Sequence, residues 1–504
     1  MRRLSRDILV MAVATGISRV FGLVREAAIA DRFGTSGAYD AFLIAFFLPH
    51  FLRELLAEGA LSTAFVSVYT ETLVTDKEAN RLASNLLSIL MIVFPVVVLA
   101  GVFLAPHYLP FLASGFSPAK LSLAIRLAQV LFPFIALVGF AAVFMGILNA
   151  HRRFFVPSLA PVLLNLGMIA GALFLGGGVL KEPIYGLAFG ALLGGAAELV
   201  LQVPSLYRAG FRFRFALTPL HPGIRKMARL MAPAVLSLAV TEINLLVDNK
   251  FASHLGDGGI SSLQYAMRLF ALPLGIFGVS IGTALLPRFS ENLARNENEQ
   301  FSSHLRRGVS LTVFVLLPAV AGLYAIGPAT IRLLFEHGSF SAASTLRAAH
   351  ALSFYLVGLL PYGLIYLFTR AFYAMGRTTV PLVASVASMA TNAVLDWLLV
   401  GPMREGGLAL ATSIAGALEV AVLVVFLWRA MRPDAKLTKE LVKVACGAGL
   451  TFLAAWGVAR WVGQSSRLLA VALPAIVGIG IYAAYARASG LMDLVRARGG
   501  DRSE

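Results

Sequence analysis

The stretch that decides the fold is Ser88–Ala105, which reads SILMIVFPVVVLAGVFLA and contains no charged residue. A run of this kind is typical of a helix that crosses a bilayer, since each crossing takes about 20 mostly apolar residues. Comparable runs recur along all 504 residues, of which 58% are hydrophobic and 13% are charged. Long apolar/polar alternation is absent, so helices rather than a barrel would satisfy the backbone. The sequence therefore predicts an all-α polytopic membrane protein.

We predict fourteen spans with both termini on the same side. They lie near 8–31, 36–71, 82–105, 121–149, 156–177, 184–206, 226–252, 260–287, 307–327, 344–373, 380–400, 407–430, 438–460 and 467–487. Most of the 42 lysines and arginines fall on the side of the amino terminus, which the positive-inside rule identifies as the cytoplasm. The amino-terminal Met1–Arg6 resembles the start of a signal peptide. Because Arg19, Arg25 and Glu26 interrupt the apolar run that follows, we interpret it as a retained first helix.

The chain also repeats itself. Leu48-Pro49 recurs as Leu272-Pro273, and Gly186-Leu187-Ala188 recurs as Gly407-Leu408-Ala409, at nearly the same separation. The repeat predicts an N-lobe, a basic cytoplasmic linker, a C-lobe, and a last segment with two helices and a cytoplasmic tail, at 1–207, 208–229, 230–431 and 432–504. Six helices in each copy is an even number, so the two lobes are parallel repeats with a substrate site between them.

Composition excludes several classes of function. The net charge of +16 is spread between the apolar runs, without the basic domain or basic-aromatic strands of a nucleic-acid-binding protein. Cys446 is the single cysteine, so no disulfide forms within the chain. The histidines are scattered, and no phosphate-binding loop or nucleophile elbow is present. We therefore expect a transporter rather than an enzyme, with no cofactor other than an ion.

Ionisable residues inside the predicted spans are the candidate functional residues. Each costs about 2.5–3.5 kcal/mol near the middle of a membrane. Four arginines are candidate substrate ligands, because the guanidinium fork suits paired phosphate oxygens and keeps its charge when desolvated: Arg19, Arg25, Arg53 and Arg268. Four carboxylates are candidate gating or ion-pair residues: Glu26, Asp40, Glu54 and Glu58. The alternative is that these charges only snorkel or pair with one another.

A second constellation predicts an ion site in the C-lobe. Asn392 and Asp396 share one face of the eleventh span, Thr412 lies in the twelfth, and Asp248 ends the seventh. Together with the Leu408 carbonyl, these groups supply the oxygen ligands that a hard cation such as Na⁺ prefers. A hydrogen-bond network that joins helices remains the alternative interpretation.

The first two spans carry a family resemblance. Ser18–Glu26 reads SRVFGLVRE and resembles the opening motif of the MurJ (MviN) family of lipid II flippases, in the multidrug/oligosaccharidyl-lipid/polysaccharide exporter superfamily. Asp40-Ala41-Phe42, Leu52-Arg53 and Ala57–Ala60 resemble the second-helix pattern of that family. The resemblance extends over essentially the whole chain and includes the fourteen spans.

The resemblance implies a MATE-like fold with a cationic central cavity and two extra helices that form a groove for a polyprenyl tail. It implies that the four arginines contact the headgroup or diphosphate, that Asp40 and Glu58 act in gating, and that Asp248, Asn392, Asp396 and Thr412 match a sodium site of some relatives. The chain departs from several relatives at Phe47, Glu54 and Met267, where they have basic or acidic residues.

The expected function is translocation of lipid II across the bacterial cytoplasmic membrane by alternating access. The expected partners are lipid II, membrane lipids and the cell-wall synthesis machinery, the expected state is a monomer, and no nucleic acid is expected. Two alternatives remain in the same superfamily, a flippase for another lipid-linked oligosaccharide and a cation-coupled drug exporter. A lipid-modifying enzyme or scaffold in the membrane is the third.

The predicted topology places Lys181–Pro183 and Arg404–Gly406 outside the cell. After replacement of Cys446, a single cysteine at position 181 or 404 should react with an impermeant thiol reagent added to intact cells. A cysteine at position 436 should react only after the membrane is opened. Reaction of position 404 from the cytoplasmic side alone would contradict the predicted helix count.

Overall fold

The computed structural model describes residues 2–55, 60–75, 78–176, 180–219, 221–431, 435–463 and 466–494. About 88% of the structure is helical, and the described residues contain no β-strand. The all-α prediction is therefore confirmed. By their contacts the residues form two compact units, one of residues 1–261 with 337–340 and one of residues 262–336 with 341–504.

Nine α-helices build the first unit, counted over the residues that the structure describes. They are α1 (Arg2–Phe33), α2 (Gly37–Arg53), α3 (Ala60–Thr75), α4 (Ala79–Leu112), α5 (Pro118–Leu131), α6 (Phe134–Ala150), α7 (Phe155–Ala170), α8 (Ile184–Arg208) and α9 (Pro222–Ala252). The helix α9, which the repeat assigns to the C-lobe, packs against α3 and α4. The predicted domain boundaries stay a prediction.

The second unit contains the remaining helices. They are α10 (Gly259–Pro273), α11 (Val279–Ala294), α12 (Asn298–Phe335), α13 (Ala342–Ala374), α14 (Thr379–Met403), α15 (Glu405–Met431), α16 (Ala435–Val462) and α17 (Leu469–Ala488). A π-helical turn, Leu274–Gly278, joins α10 to α11, and a 3₁₀ turn, Leu491–Leu494, follows α17.

Eleven helical segments of the described chain are long and apolar enough to cross a membrane. The chain is therefore a multi-pass membrane protein. The three predicted spans outside this set are 8–31, 36–71 and 226–252. The spans 8–31 and 226–252 carry charges that lower their mean hydropathy, among them Arg19, Arg25 and Asp248. Within 36–71 the described helices α2 and α3 have 17 and 16 residues, each too short to be counted as a crossing. The count of fourteen therefore stays a prediction.

One predicted span is interrupted, and another is described only in part. Within the span predicted at 36–71, α2 ends at Arg53, residues 54–55 are π-helical and α3 is described from Ala60, while residues 56–59 lie outside the described residues. The span predicted at 121–149 bends at Phe132-Pro133, where proline lacks the N–H of a regular helical bond. Residues 118–150 still form one candidate crossing.

Glycines bring α7 and α8 into backbone contact in the first unit. A Cβ atom placed on Gly167 would lie 2.5 Å from the Gly190 carbonyl oxygen and 2.5 Å from the Gly194 Cα. Such an approach is open to glycine and is a common device for joining helices in membranes, where small residues allow close van der Waals packing. This crossing places Asn165 of α7 opposite α1, against which α7 also packs.

One apolar core extends through the second unit to the last two helices. Leu437 and Val444 of α16 and Ala486 of α17 are buried in the same cluster as Phe289 and Phe368 of α11 and α13. The two helices predicted to fall outside the repeat are therefore packed into this unit.

Candidate functional site

The best-connected charged cluster of the first unit surrounds Asp40, which is fully buried at the start of α2. Asp40 Oδ2 accepts hydrogen bonds from the Gly258 N–H at 2.7 Å and from Lys120 Nζ at 2.9 Å. Asp40 Oδ1 accepts from the Ser261 N–H at 2.9 Å. Lys120 Nζ also donates to Asp257 Oδ1 at 2.9 Å. We call these five residues the Asp40 cluster.

The Asp40 cluster is a remote helix cap. Gly258 and Ser261 carry backbone N–H groups at the beginning of α10, where an intrahelical acceptor is missing. A carboxylate at this place satisfies those donors and interacts favourably with the positive end of the helix dipole. A residue of α2 thus holds the chain at the beginning of α10, which gives the predicted gating residue Asp40 a defined partner.

Lys120 was not among the predicted site residues. Its side chain is 8% exposed, although the sequence places it at the start of a span where a lysine would ordinarily be solvated. Ser117 caps the helix that carries it, α5, and α5 packs on α2. Since Lys120 and Asp40 are 80 residues apart, no local pattern in the sequence indicates the pair.

A second cluster joins α1 to α7. Arg25 Nη2 donates to Glu26 Oε1 at 2.6 Å, and Arg25 Nη1 donates to Asn165 Oδ1 at 3.0 Å. Asn165 Nδ2 in turn donates to the Ser18 carbonyl at 3.3 Å. The Arg25 side chain is 18% exposed and that of Glu26 is 6% exposed. The predicted substrate ligand Arg25 is therefore held by the predicted ion-pair residue Glu26.

The other predicted arginines have different surroundings. Arg19 is exposed on α1, and Arg53 is half-buried at the end of α2. Arg268 is exposed on α10 in the second unit. Its approach to the other three stays a prediction.

The end of α2 carries a further acidic pair. Glu54 Oε1 lies 3.3 Å from His50 Nε2, and the Glu54 carboxyl is close enough to Glu242 on α9 for the two to interact electrostatically. Glu242 stands inside the predicted seventh span and could have been selected by the same argument as Asp248. The predicted gating residue Glu58 lies outside the described residues.

The predicted ion ligands of the second unit lie on two neighbouring helices, α14 and α15. Ser388 Oγ donates to the Ala415 carbonyl at 2.9 Å, and Ser385 Oγ donates to Glu419 Oε1 at 2.8 Å. The same antiparallel register, continued along both helices, places Asn392 level with Thr412 and Asp396 level with Leu408.

All four of these residues are buried. Asn392 Nδ2 donates to Asp396 Oδ2 at 3.1 Å, and Thr412 Oγ1 donates to the Leu408 carbonyl at 3.0 Å. Each of these bonds stays within one helix, so amide, carboxylate and hydroxyl oxygens suited to a hard cation share one level of the helix pair. Asp248, the remaining predicted ligand, lies on α9 in the first unit.

One perturbed histidine lies outside the spans, at the end of α6. Burial lowers the pKa of the His151 imidazole, and the neighbouring Arg153 lowers it further. His151 Nε2 is 3.3 Å from the Tyr69 hydroxyl. The ring is therefore neutral at pH 7 and joins the ends of α3 and α6.

The Asp40 cluster makes a testable prediction about stability. Asp40→Ala removes the acceptor of two N–H groups and leaves Lys120 buried with one exposed partner, so we expect a loss of about 3–5 kcal/mol. Asp257→Ala is the matched control. Because the Asp257 side chain is 75% exposed, its loss should stay below about 1 kcal/mol. Thermal unfolding of the purified variants measures both, and equal losses would contradict the remote cap.

Most of the chain is similar to known proteins of one family. The sequence model of the family described as "Lipid II flippase MurJ" matches residues 29–477. A Vibrio cholerae serotype O1 protein named "Probable lipid II flippase MurJ" is 32% identical over 501 residues, 95% of this chain and 94% of that protein. The Burkholderia cenocepacia protein "Lipid II flippase MurJ" is 31% identical over 428 residues, 83% of each.

Solved structures agree with this match. One described as "Lipid II flippase MurJ, inward closed conformation" superposes with a TM-score of 0.82 at 27% identity, covering 97% of this chain and 100% of that one. An inward-facing multidrug resistance MATE transporter of the MOP superfamily has a TM-score of 0.65 at 18% identity, covering 86% and 98%. That second likeness shows a shared fold alone. The family model and the relatives cover most of the chain, and the chain therefore belongs to the lipid II flippase MurJ family.

Proposed function

We propose that this protein translocates lipid II from the cytoplasmic to the outer leaflet of the bacterial cytoplasmic membrane. The observation that carries the proposal is Arg25 on the first helix, half-buried and oriented by Glu26 and Asn165. A diphosphate is the anionic part of lipid II, and the planar guanidinium is the side chain best suited to bind it after desolvation. The protein acts as a transporter and not as a catalyst.

The proposed architecture has fourteen spans with both termini in the cytoplasm. Two parallel six-helix repeats are followed by α16 and α17. The order of elements supports the duplication, because π-helical residues follow both α2 and α10, and the next helix, α3 or α11, has 16 residues in each half. The long α4 and α12 come next in both halves. The proposed functional unit is a monomer that works beside the cell-wall synthesis machinery.

The arginines would act by exchange of partners. Arg25 is held by Glu26 before substrate arrives, and a diphosphate would replace that carboxylate as the acceptor. The exposed Arg19 and the half-buried Arg53 would add charge to the same cavity. An arginine that faced lipid would be costly, so the exposure of Arg19 favours a water-filled surface. Arg268 is included as a fourth substrate ligand because it lies on α10, which is the counterpart of α2 in the proposed second repeat.

Alternating access requires a contact that closes the outer side and can be released. The Asp40 cluster fits this role, because α2 and α10 are equivalent helices of the two proposed repeats and Asp40 caps the start of α10. Release would expose the carboxylate, Lys120 and two amides to water, which can hydrogen-bond to all of them. A ligand shifts such an equilibrium only by its different affinity for the two states.

A coupling ion is the second part of the proposal. Na⁺ would be held by the Asp396 carboxylate, the Asn392 amide oxygen, the Thr412 hydroxyl and the Leu408 carbonyl, with Asp248 as the predicted fifth ligand. The burial of Asp396 at 0% exposure supports it, since a buried carboxylate is stabilised by a cation. The ion would supply charge and no covalent chemistry.

Cells depleted of their own flippase provide the test of function. Wild-type protein should relieve the accumulation of undecaprenyl-diphosphate-linked muropeptide in the inner leaflet. Arg25→Ala should lower the rate of relief about tenfold to a hundredfold, because each charge-assisted hydrogen bond contributes about 1.5–3 kcal/mol. Arg25→Lys should lower it less, because lysine keeps the charge but lacks the fork.

Two controls keep this test specific. The double variant Arg25→Gln with Glu26→Gln leaves no unpaired buried charge, so it should fold and still fail to transport. Arg225→Ala removes an exposed charge on α9 and should transport normally. Normal growth with Arg25→Ala as the sole flippase would reject the cationic cavity. Relief of a different lipid-linked oligosaccharide would identify the alternative substrate.

The sodium site is tested by thermal unfolding in sodium and in potassium chloride. A ligand at 100 times its Kd stabilises a protein by about 2.7 kcal/mol, so wild type should unfold at a higher temperature in sodium. Asp396→Asn should abolish the difference. Glu419→Gln is the matched control, because Glu419 is another buried carboxylate of the same helix pair. Identical unfolding of wild type in both salts would assign the four residues to helix packing.

A further inference from the structure

A polar pocket lies in the second unit, away from the residues described above. It has a volume of about 780 Å³. Its walls come from the early turns of α12, the beginning of α16, the end of α17 and the 3₁₀ turn Leu491–Leu494. The arginines proposed to bind the substrate and the residues proposed to bind the ion do not line this pocket.

The lining of the pocket is strongly basic. Five cationic residues face two acidic ones, Glu440 and Asp493, and the cationic residues are Arg306, Arg307, Lys436, Lys439 and Lys443. Ser310 Oγ donates to Glu440 Oε2 at 2.6 Å. The Glu440 carboxylate is therefore hydrogen-bonded to a neutral hydroxyl group. Lys436 and Lys439 are exposed. The pocket therefore carries an excess of positive charge toward solvent.

The backbone adds to that charge. Lys436 and Lys439 stand in the first turns of α16, which has no acidic residue in its first turn. The amino-terminal end of a helix is already positive, and lysines there are on the unfavourable side of the helix dipole. An anion bound beside this end would interact favourably with both the dipole and the lysines.

The walls of the pocket are fixed. Arg307 Nη2 donates to the Leu494 carbonyl at 3.2 Å, and Lys443 Nζ donates to the Ser489 carbonyl at 2.7 Å. Tyr482 of α17 donates to the Phe314 carbonyl of α12 at 2.7 Å. These bonds tie α12, α16 and the end of α17 together, so a ligand would enter a formed site rather than order a loose one.

The helices α16 and α17 also expose apolar side chains. Val442, one turn beyond Lys439, is 58% exposed, Leu453 of the same helix is 61% exposed, and Ile479 of α17 is 69% exposed. In a multi-pass membrane protein such a surface meets lipid chains. A ligand that fits both regions has an anionic head and a long apolar tail.

We propose that this pocket binds the phosphate headgroup of an anionic glycerophospholipid. Basic residues at a membrane surface attract such lipids electrostatically. A polyprenyl diphosphate carries a phosphate of similar chemistry, and the experiment distinguishes it as a separate outcome. The site does not depend on the proposed translocation through the arginine cavity.

The experiment uses the full-length protein in nanodiscs of phosphatidylcholine with increasing phosphatidylglycerol. Bound lipids are counted by native mass spectrometry. Lys436→Gln with Lys439→Gln should weaken phosphatidylglycerol binding at least about tenfold, because two of the five cationic groups are lost. The matched control, Arg225→Gln with Arg229→Gln, removes two exposed charges of α9 and should bind as wild type does.

Further arms identify the source of the phosphate. Undecaprenyl diphosphate that displaces phosphatidylglycerol from wild type but not from the lysine variant would assign the pocket to polyprenyl lipids. Inorganic phosphate that displaces it at equal concentration would overturn the lipid proposal. Equal thermal stability of wild type and variant in pure phosphatidylcholine establishes folding, and Arg306→Gln serves if the double variant unfolds. Unchanged phosphatidylglycerol binding in a folded variant would also overturn the proposal.

Discussion

A charged side chain placed inside a membrane needs a partner or water, and the first unit is arranged around this requirement. The two most buried carboxylates of its first two helices, Glu26 and Asp40, each have a cation at hydrogen-bond distance. Arg25 neighbours Glu26 along the chain, whereas Lys120 reaches Asp40 from a helix much later in the sequence. The helix positions must therefore satisfy both pairs at once, which constrains how α1, α2, α5 and α7 pack.

The packing between these helices depends on residues that bring backbones together. Glycines of α7 and α8 allow a crossing too close for any side chain, and this crossing supports the α7 face that carries Asn165. Asn165 then contacts both Arg25 and the Ser18 carbonyl. An apolar residue at position 165 would leave the Arg25 guanidinium with fewer acceptors. The glycine crossing thus positions α7, and α7 in turn positions the Arg25 guanidinium through Asn165.

The sequence predicted the fold class, because long apolar runs leave helices as the way to satisfy the backbone in lipid. It also selected Arg25, Glu26 and Asp40, since intramembrane charges are rare and costly. The sequence could not identify Lys120 as the partner of Asp40, because two residues 80 positions apart leave no periodic pattern. A proline such as Pro49 also does not by itself mark the end of a helix. Helix α2 continues past Pro49 to Arg53 before its π turn, since the surrounding packing absorbs one missing N–H.

The two buried ion pairs differ in how their partners are distributed. Asp40 accepts three hydrogen bonds, two from backbone amides at a helix start, so the loss of any one partner leaves the carboxylate stabilised. Arg25 instead shares its donors between a carboxylate and an amide oxygen. The carboxylate is its neighbour on α1, and the amide belongs to α7, so the guanidinium joins two helices through a single pair of acceptors. Asp40 instead joins α2 to α5 and to the start of α10, because its donors come from both places.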